Sequence, residues 1–328
     1  MNEPSTPQSE TERSIPLSDR VASGNIRRIK ELVPELKVIY TDIDGTLVGP
    51  GGCFFKTGGG ELSLIPALAL LQALSAGIEV VLVSGRNRRQ LLEDARLLGL
   101  RDYIAEMGGL VVLDLDREAH PAPHLAAGDR TPFEAMLAEG VLDALLGEFP
   151  ALHEYLPWSR EREFTALFRG HVEVGQVNQY LEGRGWGHLH LVDNGRVGIY
   201  LDSSHDRPHA YHLVPKGVAK ETGVAHHRRL RGVAVSSCIA VGDAVADVAF
   251  AEEVGASFIL GNGLARSPEL EVAVAEKSNV FVTQNEMGLG WAEVIELFLG
   301  PLEPAKRGLF SEPGTLASEP GQPFLTEG

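Results

Sequence analysis

A mostly parallel α/β sheet with a smaller α/β domain inserted into it is the fold class predicted for this chain, and three observations predict it. Short apolar runs, Val38-Ile39-Tyr40, Val80-Val81-Leu82-Val83 and Cys238-Ile239-Ala240-Val241, are separated by stretches of helical periodicity, the alternation that favours parallel strands joined by helices. Each run ends in polar residues, at Asp42, at Ser84 and at Gly242-Asp243. The rhythm changes near Val111, and a second set of helix-like and strand-like segments intervenes before it resumes.

Taken in order, Leu64 to Leu74 has helix-spaced apolar residues closed by Gly77, and Ile78 to Val83 supplies the next strand. Gln90 to Leu98 is a helix ended by Gly99. Residues 133–149 form a helical segment carrying Phe133, Met136, Leu137, Val141, Leu142, Leu145 and Leu146. A strand is expected at Glu163 to Phe168, a helix at 172–183, and strands at Leu189 to Val192 and Val197 to Leu201. Asp193-Asn194-Gly195 between the last two predicts a hairpin, because Asn-Gly readily takes the positive φ angles of a tight turn. These segments define an inserted domain at 113–204 between core segments 35–112 and 205–302. Tyr211 to Val214 is expected to return to the core as a strand, with helices at Lys216 to Ala225 and Val245 to Glu253, a strand at Phe258 to Leu260 and a closing helix at Trp291 to Leu299. Residues 1–34 and 303–328 are expected to be disordered or poorly ordered tails, since their polar, proline-containing stretches bury too little apolar surface.

Composition bounds the function. The 328 residues, 44% hydrophobic and 23% charged, suit a globular protein of two domains. A formal net charge of −16 argues against nonspecific nucleic-acid binding, and an anionic substrate would need a local cationic patch or a metal. No run approaches the ~20 apolar residues of a membrane span, and the start Met1-Asn2-Glu3-Pro4 lacks the features of a secretory signal. The only cysteines, Cys53 and Cys238, offer neither a disulfide framework nor zinc spacing, so a cytoplasmic location is expected.

The chemistry concentrates at Asp42-Ile43-Asp44-Gly45-Thr46, two carboxylates directly after a buried strand. By itself the pentapeptide could also be an acidic turn closing a strand, in which Gly45 permits the bend and Thr46 caps the next segment. Its company is more telling. Ser84-Gly85-Arg86 and Gly242-Asp243 come after two further apolar runs, and Lys216 opens a helix-like segment between them. This ordered set resembles the haloacid dehalogenase-like (HAD) phosphohydrolases, and within them the Cof-type, sugar-phosphate phosphatase branch, from about Leu36 to Gly300.

The resemblance implies a Rossmann-like core with an α/β cap placed between the serine and lysine motifs. It also implies a Mg²⁺-dependent phosphatase acting through an aspartyl-phosphate. Asp42 is then the nucleophile and Asp44 the general acid and base. Ser84, Gly85, Thr46 and Lys216 are expected to bind phosphate, Lys216 by offsetting charge repulsion. Asp42, Asp44, Asp243 and Asp247 would supply the oxygen donors that Mg²⁺ prefers, with Asp44 contributing its main-chain carbonyl. Arg86 and Asn262 are expected as substrate or supporting residues. Two positions depart from the family pattern: Ala246 and Met107 stand where asparagine is usual.

His205, His209 and His212 would share a face only on a helix, which Pro208 disfavours, so a loop is the expectation there rather than a zinc site. Gly49 to Gly60 lacks the ending of a nucleotide-binding loop and is expected to be a flap over the site. Arg160, Arg162, Arg169, Arg184 and His188 are the cap's candidates for reading a second anionic group. The expected substrate is a small phosphorylated metabolite, a sugar phosphate or phosphoglycerate derivative, with no nucleic-acid or membrane partner. The alternatives are a phosphomutase and a non-catalytic metabolite-binding protein on the same scaffold.

Overall fold

A computed structural model describes residues 16–125, 129–196, 207–265 and 267–302. Twelve strands fall into two sheets: β1 (Val38–Thr41), β2 (Glu79–Val83), β3 (Tyr103–Ala105), β4 (Leu110–Leu113), β5 (Glu118–Pro121), β6 (Leu152–Glu154), β7 (Ala166–Gly170), β8 (Leu189–Arg196), β9 (His209–Pro215), β10 (Cys238–Gly242), β11 (Ala256–Ile259) and β12 (Val280–Val282). The larger sheet has the order β12-β11-β10-β1-β2-β3-β4-β5, parallel from β12 to β3 and antiparallel beyond. The smaller, β6-β7-β9-β8, is antiparallel throughout.

The helices are α1 (Ile26–Leu32), α2 (Ile65–Ser75), α3 (Arg88–Leu98), α4 (Pro132–Ala138), α5 (Val141–Glu148), α6 (Val174–Gly183), α7 (Lys220–Arg231), α8 (Val245–Val248), α9 (Gly261–Leu264), α10 (Pro268–Ala275) and α11 (Met287–Leu299). Strands β1, β10 and β11 are buried along their whole length because helices cover both faces. Ile39, Leu82 and Ile239 pack with Leu70, Leu91 and Trp291 on one side, while Tyr40, Val81 and Ala240 pack with Val224 and Phe250 on the other. Strand order reverses at β1, so the crevice at its carboxyl end is the natural ligand site of such a sheet. None of the described helices is long and apolar enough to cross a membrane.

Several boundaries differ from expectation. Strands β4 and β5 stay in the larger sheet, and β9 joins the smaller one between β7 and β8, so neither edge of the expected 113–204 insertion coincides with the change of sheet. The local pattern cannot say which sheet receives a strand, because either offers the same backbone hydrogen bonds. Pro208 does not keep the histidine segment in a loop either, for β9 begins at His209, one residue beyond it. The expected turn at Asn194-Gly195 is a bulge within β8, with the register shifting between Asp193 and Arg196 and Gly195 at φ +87°. The expected strand at 197–201 lies outside the described residues. The helical segment at 133–149 is broken into α4 and α5 at Gly140.

Of the expected tail 1–34, residues 16–34 are placed, with Ala22, Ile29 and Val33 buried in the core and the Arg20 guanidinium bonded to main-chain carbonyls around β12. Residues 303–328 lie outside the described set. The glycine-rich stretch after Val48 is folded against itself, with bridges Gly49 to Cys53 and Lys56 to Leu62.

Candidate active site

Four strands of the larger sheet deliver polar residues to one place at their carboxyl ends. Asp42 follows β1, Ser84 and Gly85 follow β2, Asp243 follows β10, and Asn262 sits in α9 after β11. Asp42 is buried, and its main-chain N–H donates to Val241, which locks the end of β1 to β10. Gly45, at φ +87°, is where the chain turns; a Cβ there would run into the carboxylate of Asp243.

Lys220, 3% exposed, is the cation at the centre. Its Nζ donates to Asp42 Oδ1 at 2.7 Å and to Asp247 Oδ1 at 2.8 Å. Burial by itself lowers the affinity of this ammonium for its proton, but Asp247 and Asp42 outweigh it and hold Lys220 charged. Asp42 moves the other way: burial, with Asp247 and Asp243 nearby, pushes its carboxyl up to about 8 against the pull of Lys220. Three carboxylates, of Asp42, Asp243 and Asp247, cluster around the single ammonium of Lys220, an arrangement that an added cation would balance.

Asp42, Asp243 and Asp247 bring one carboxylate oxygen each within 4.8 Å of one another. That donor set, hard oxygens only, fits Mg²⁺. The three are not equivalent. Asp247 is already committed, Oδ1 to Lys220 and Oδ2 to the main-chain N–H groups of Asp243 and Ala244, both at 3.0 Å. Asp243 is aimed from outside by Thr46 Oγ1 at 3.1 Å and by Asn262 Nδ2 at 2.8 Å. Asn262 also donates to the Gly45 carbonyl and accepts from the Met287 N–H, so one amide ties three loops to the carboxylate.

On the other flank Arg86 grips Asp44 with two hydrogen bonds, Nε to Oδ2 at 3.0 Å and Nη2 to Oδ1 at 2.6 Å, and donates through Nη1 to Asp94 at 2.7 Å. Ser84 Oγ accepts from the Arg86 N–H, and neither its own proton nor the buried Gly85 N–H has an acceptor among the described residues. Buried donors without acceptors are rare, and a phosphate oxygen would satisfy both.

Two expected phosphate binders lie elsewhere. Lys216 has its Nζ 3.7 Å from Glu182 with more than half of its side chain exposed, and Lys220 occupies the place expected of it. The reason is local: Gly217 at φ +88° turns the chain after β9, Ala219 N–H donates to Thr222 Oγ1, and α7 begins only at Lys220. The buried spacing Lys220, Val224, His227 is the signal that could have identified it. The far part of α7 is pinned too, by Tyr40 Oη to His227 Nδ1 at 2.8 Å, His227 Nε2 to Asp102 at 2.9 Å, and Arg231 to both oxygens of Asp102. Thr46, also expected at phosphate, is fully buried and donates to Asp243 instead.

Where asparagine was expected, Glu106-Met107 makes a different join. The Glu106 carboxylate accepts the main-chain N–H groups of Glu163, Phe164 and Thr165 at 2.8–3.0 Å and the Thr165 hydroxyl at 3.0 Å, which fastens the entry of β7 to the core. Arg162 is consumed by the same joint, through the Gly85 carbonyl at 2.9 Å and Thr165 Oγ1 at 2.7 Å. His212 of β9 closes the arrangement: the Nε2 and Cε1 edge of its ring abuts Gly85. Burial, reinforced by Arg162 and Lys220, drives the His212 imidazole well below its usual range and keeps it neutral. Sequence spacing did not reveal these roles, because each depends on the cap lying against the core.

The family model described as haloacid dehalogenase-like hydrolase matches residues 194–280. A phosphoglycolate phosphatase of Pyrobaculum aerophilum is 30% identical over 264 residues, covering 80% of this chain and 96% of that protein. Another, of Methanothrix thermoacetophila, is 24% identical with the same coverage. Among solved structures, Thermoplasma acidophilum 0175 superimposes with a TM-score of 0.56 at 18% identity, covering 80% of this chain and 99% of that one. The sucrose-phosphatase of Synechocystis sp. PCC6803, in complex with sucrose and phosphate, gives 0.55 at 16% identity, covering 80% and 97%. The structural likenesses speak for the fold, and the 30% identity extends across four fifths of the chain. On these grounds the chain belongs to the haloacid dehalogenase-like hydrolases.

Proposed function

We propose that this protein is a Mg²⁺-dependent phosphatase that hydrolyses a small phosphorylated metabolite by way of a phosphorylated Asp42. The observation that carries the reading is the buried Asp42 held through one oxygen by Lys220, beside unpaired donors at Ser84 and Gly85. With Oδ1 so held, Oδ2 attacks phosphorus while the ester P–O bond breaks, and Asp44, protonated from solvent once the phosphate has drawn Arg86 away, gives that proton to the departing alkoxide. Asp44 then takes a proton from water, whose oxygen attacks the acyl phosphate; the bond to Asp42 breaks and inorganic phosphate leaves. Lys220, Ser84 and the Gly85 N–H balance the charge spread over the transferring group. Bound Mg²⁺, held by Asp42, Asp243 and the Asp44 main-chain carbonyl, would supply further charge neutralisation.

Arg86 has a part in timing. Its two bonds to Asp44 hold that carboxylate, and an incoming phosphate competes for the same guanidinium. The phosphoglycolate phosphatases among the relatives support a short phosphorylated acid as substrate, ahead of the sugar phosphates that the motifs alone favour.

The test is phosphate release from phosphoglycolate, phosphoglycerates and sugar phosphates, with Mg²⁺ and with EDTA, by wild type and Asp42→Asn. Metal-dependent release abolished in the variant is the expected result. No release from folded, Mg²⁺-binding wild type overturns the reading, and a requirement for a bisphosphate would redirect it to a mutase.

A further inference from the structure

The cap sheet has two faces, and the register assigns its residues to them. Leu152, Ala166, Phe168, Leu189, Leu191, Tyr211 and Leu213 pack into the cap's own core. Their alternates must point the other way. His212 proves where that is, since its ring abuts Gly85 in the catalytic core. Leu167 pairs with His212, so Arg169, two residues further along β7, stands on the same inner face, one pleat or roughly 7 Å away.

Arg169 has no carboxylate partner among the described residues; its guanidinium lies 5.8 Å from the centroid of the Tyr155 ring. Tyr155 extends β6, donating its N–H to the Leu167 carbonyl at 3.2 Å. Burial raises the Tyr155 hydroxyl, Arg169 acts against that, and the charge of Asp44 adds to it, so Tyr155 lies within electrostatic reach of Asp44. Two other cap arginines are differently placed. Arg162 is buried in the joint with the core, and Arg184 stacks on Tyr180 and Trp186 at the end of α6.

We propose that Arg169, braced by Tyr155, receives the carboxylate of a short phosphorylated hydroxy acid and so sets the substrate class of this enzyme. The proposal rests on the phosphatase reading. With the phosphate at Ser84 and Gly85 and the ester oxygen at Asp44, a carboxylate one or two carbons further on meets a cation that has no anion among the described residues.

The experiment compares kcat/KM for 2-phosphoglycolate and for ethyl phosphate, a phosphate monoester of equal length that lacks the carboxylate, in wild type, Arg169→Met, Arg169→Lys and Arg184→Met. Arg169→Met is expected to lower the ratio of the two about 10- to 100-fold, mainly through KM, the range of one charge-assisted hydrogen-bonded pair. Arg169→Lys should keep part of the wild-type ratio, and Arg184→Met should leave it unchanged. An unchanged ratio in Arg169→Met would sink the proposal while leaving the phosphatase intact. Should wild type hydrolyse neither these two nor any of the phosphoglycerates and sugar phosphates, the phosphatase reading fails, and calorimetric binding of phosphoglycolate and ethyl phosphate to Asp42→Asn, with and without Arg169→Met, decides the role of Arg169 separately: preference for phosphoglycolate lost with Arg169 supports it, and preference retained or absent overturns it.

Discussion

Lys220, at the carboxyl edge of the larger sheet, and Arg169, on β7 of the smaller sheet, are cations held in opposite ways. At the carboxyl edge of the larger sheet Lys220 is buried between Asp42 and Asp247, while Asp247, Asn262 and Thr46 are each bonded to a neighbour that matters. On the inner face of the cap Arg169 has an aromatic ring for company and no anion among the described residues. The difference separates two tasks. Groups that stabilise the same transferring phosphoryl for any substrate can be fixed in advance, whereas a group that recognises the remainder of the substrate must keep its charge unsatisfied until that substrate arrives.

The largest effect is expected from disturbing the fixed side. Lys220→Met should lower kcat by about 10²–10³-fold, while Lys216→Met, at the exposed position first expected to hold this role, should stay within about twofold. Equal losses in the two variants would erase the distinction drawn between them.

A step down in size is the joint between the two regions. Glu106→Gln keeps the shape but removes the charge that accepts three N–H groups and one hydroxyl, and a loss of about 1.5–3 kcal/mol in urea unfolding is expected. If stability were unaltered, the joint would not be what fastens the cap.

Thr46 offers a subtler probe. As a donor to Asp243 rather than to phosphate, Thr46→Val should weaken Mg²⁺ binding by about tenfold, with inorganic phosphate affinity at saturating Mg²⁺ matching wild type. A selective loss of phosphate affinity would return Thr46 to the role its position in D-x-D-G-T suggested.

The smallest effect concerns acid stability. His227, Arg231 and the Asp114 N–H together overcome the burial of Asp102 and depress its carboxyl below the usual range. A depressed carboxylate contributes stability that is complete above its unfolded value of about 3.9 and is lost as pH falls through the lower folded value. Thermal melts of Asp102→Asn should therefore show a lower plateau near neutrality and a shallower decline below about pH 4 than wild type. Parallel profiles would mean that the Tyr40, His227 and Arg231 network does not depend on the charge of Asp102.

Much of the floor of the site was legible in the chain because it lies next to strand ends. Asp42, Ser84 and Asp243 each follow an apolar run directly, and a parallel sheet gathers such ends on one edge whatever else the chain does. Lys220 was displaced by four residues from its expected position because a helix start depends on the turn before it, and Pro215 followed by Gly217 delays α7. Strand β9 was read correctly as extended over Tyr211 to Val214 but given to the wrong sheet.

What the sequence by itself determined was the α/β class, the inserted cap and the acidic floor, since hydrophobic period and residues adjacent to strand ends are properties of short segments. The tertiary structure alone decided that Glu106 receives the start of β7, that His212 rests on Gly85 and that Arg169 lies over the Tyr155 ring. The first two contacts join residues dozens to more than a hundred positions apart, and no periodicity within either segment encodes which face of a sheet will meet which loop.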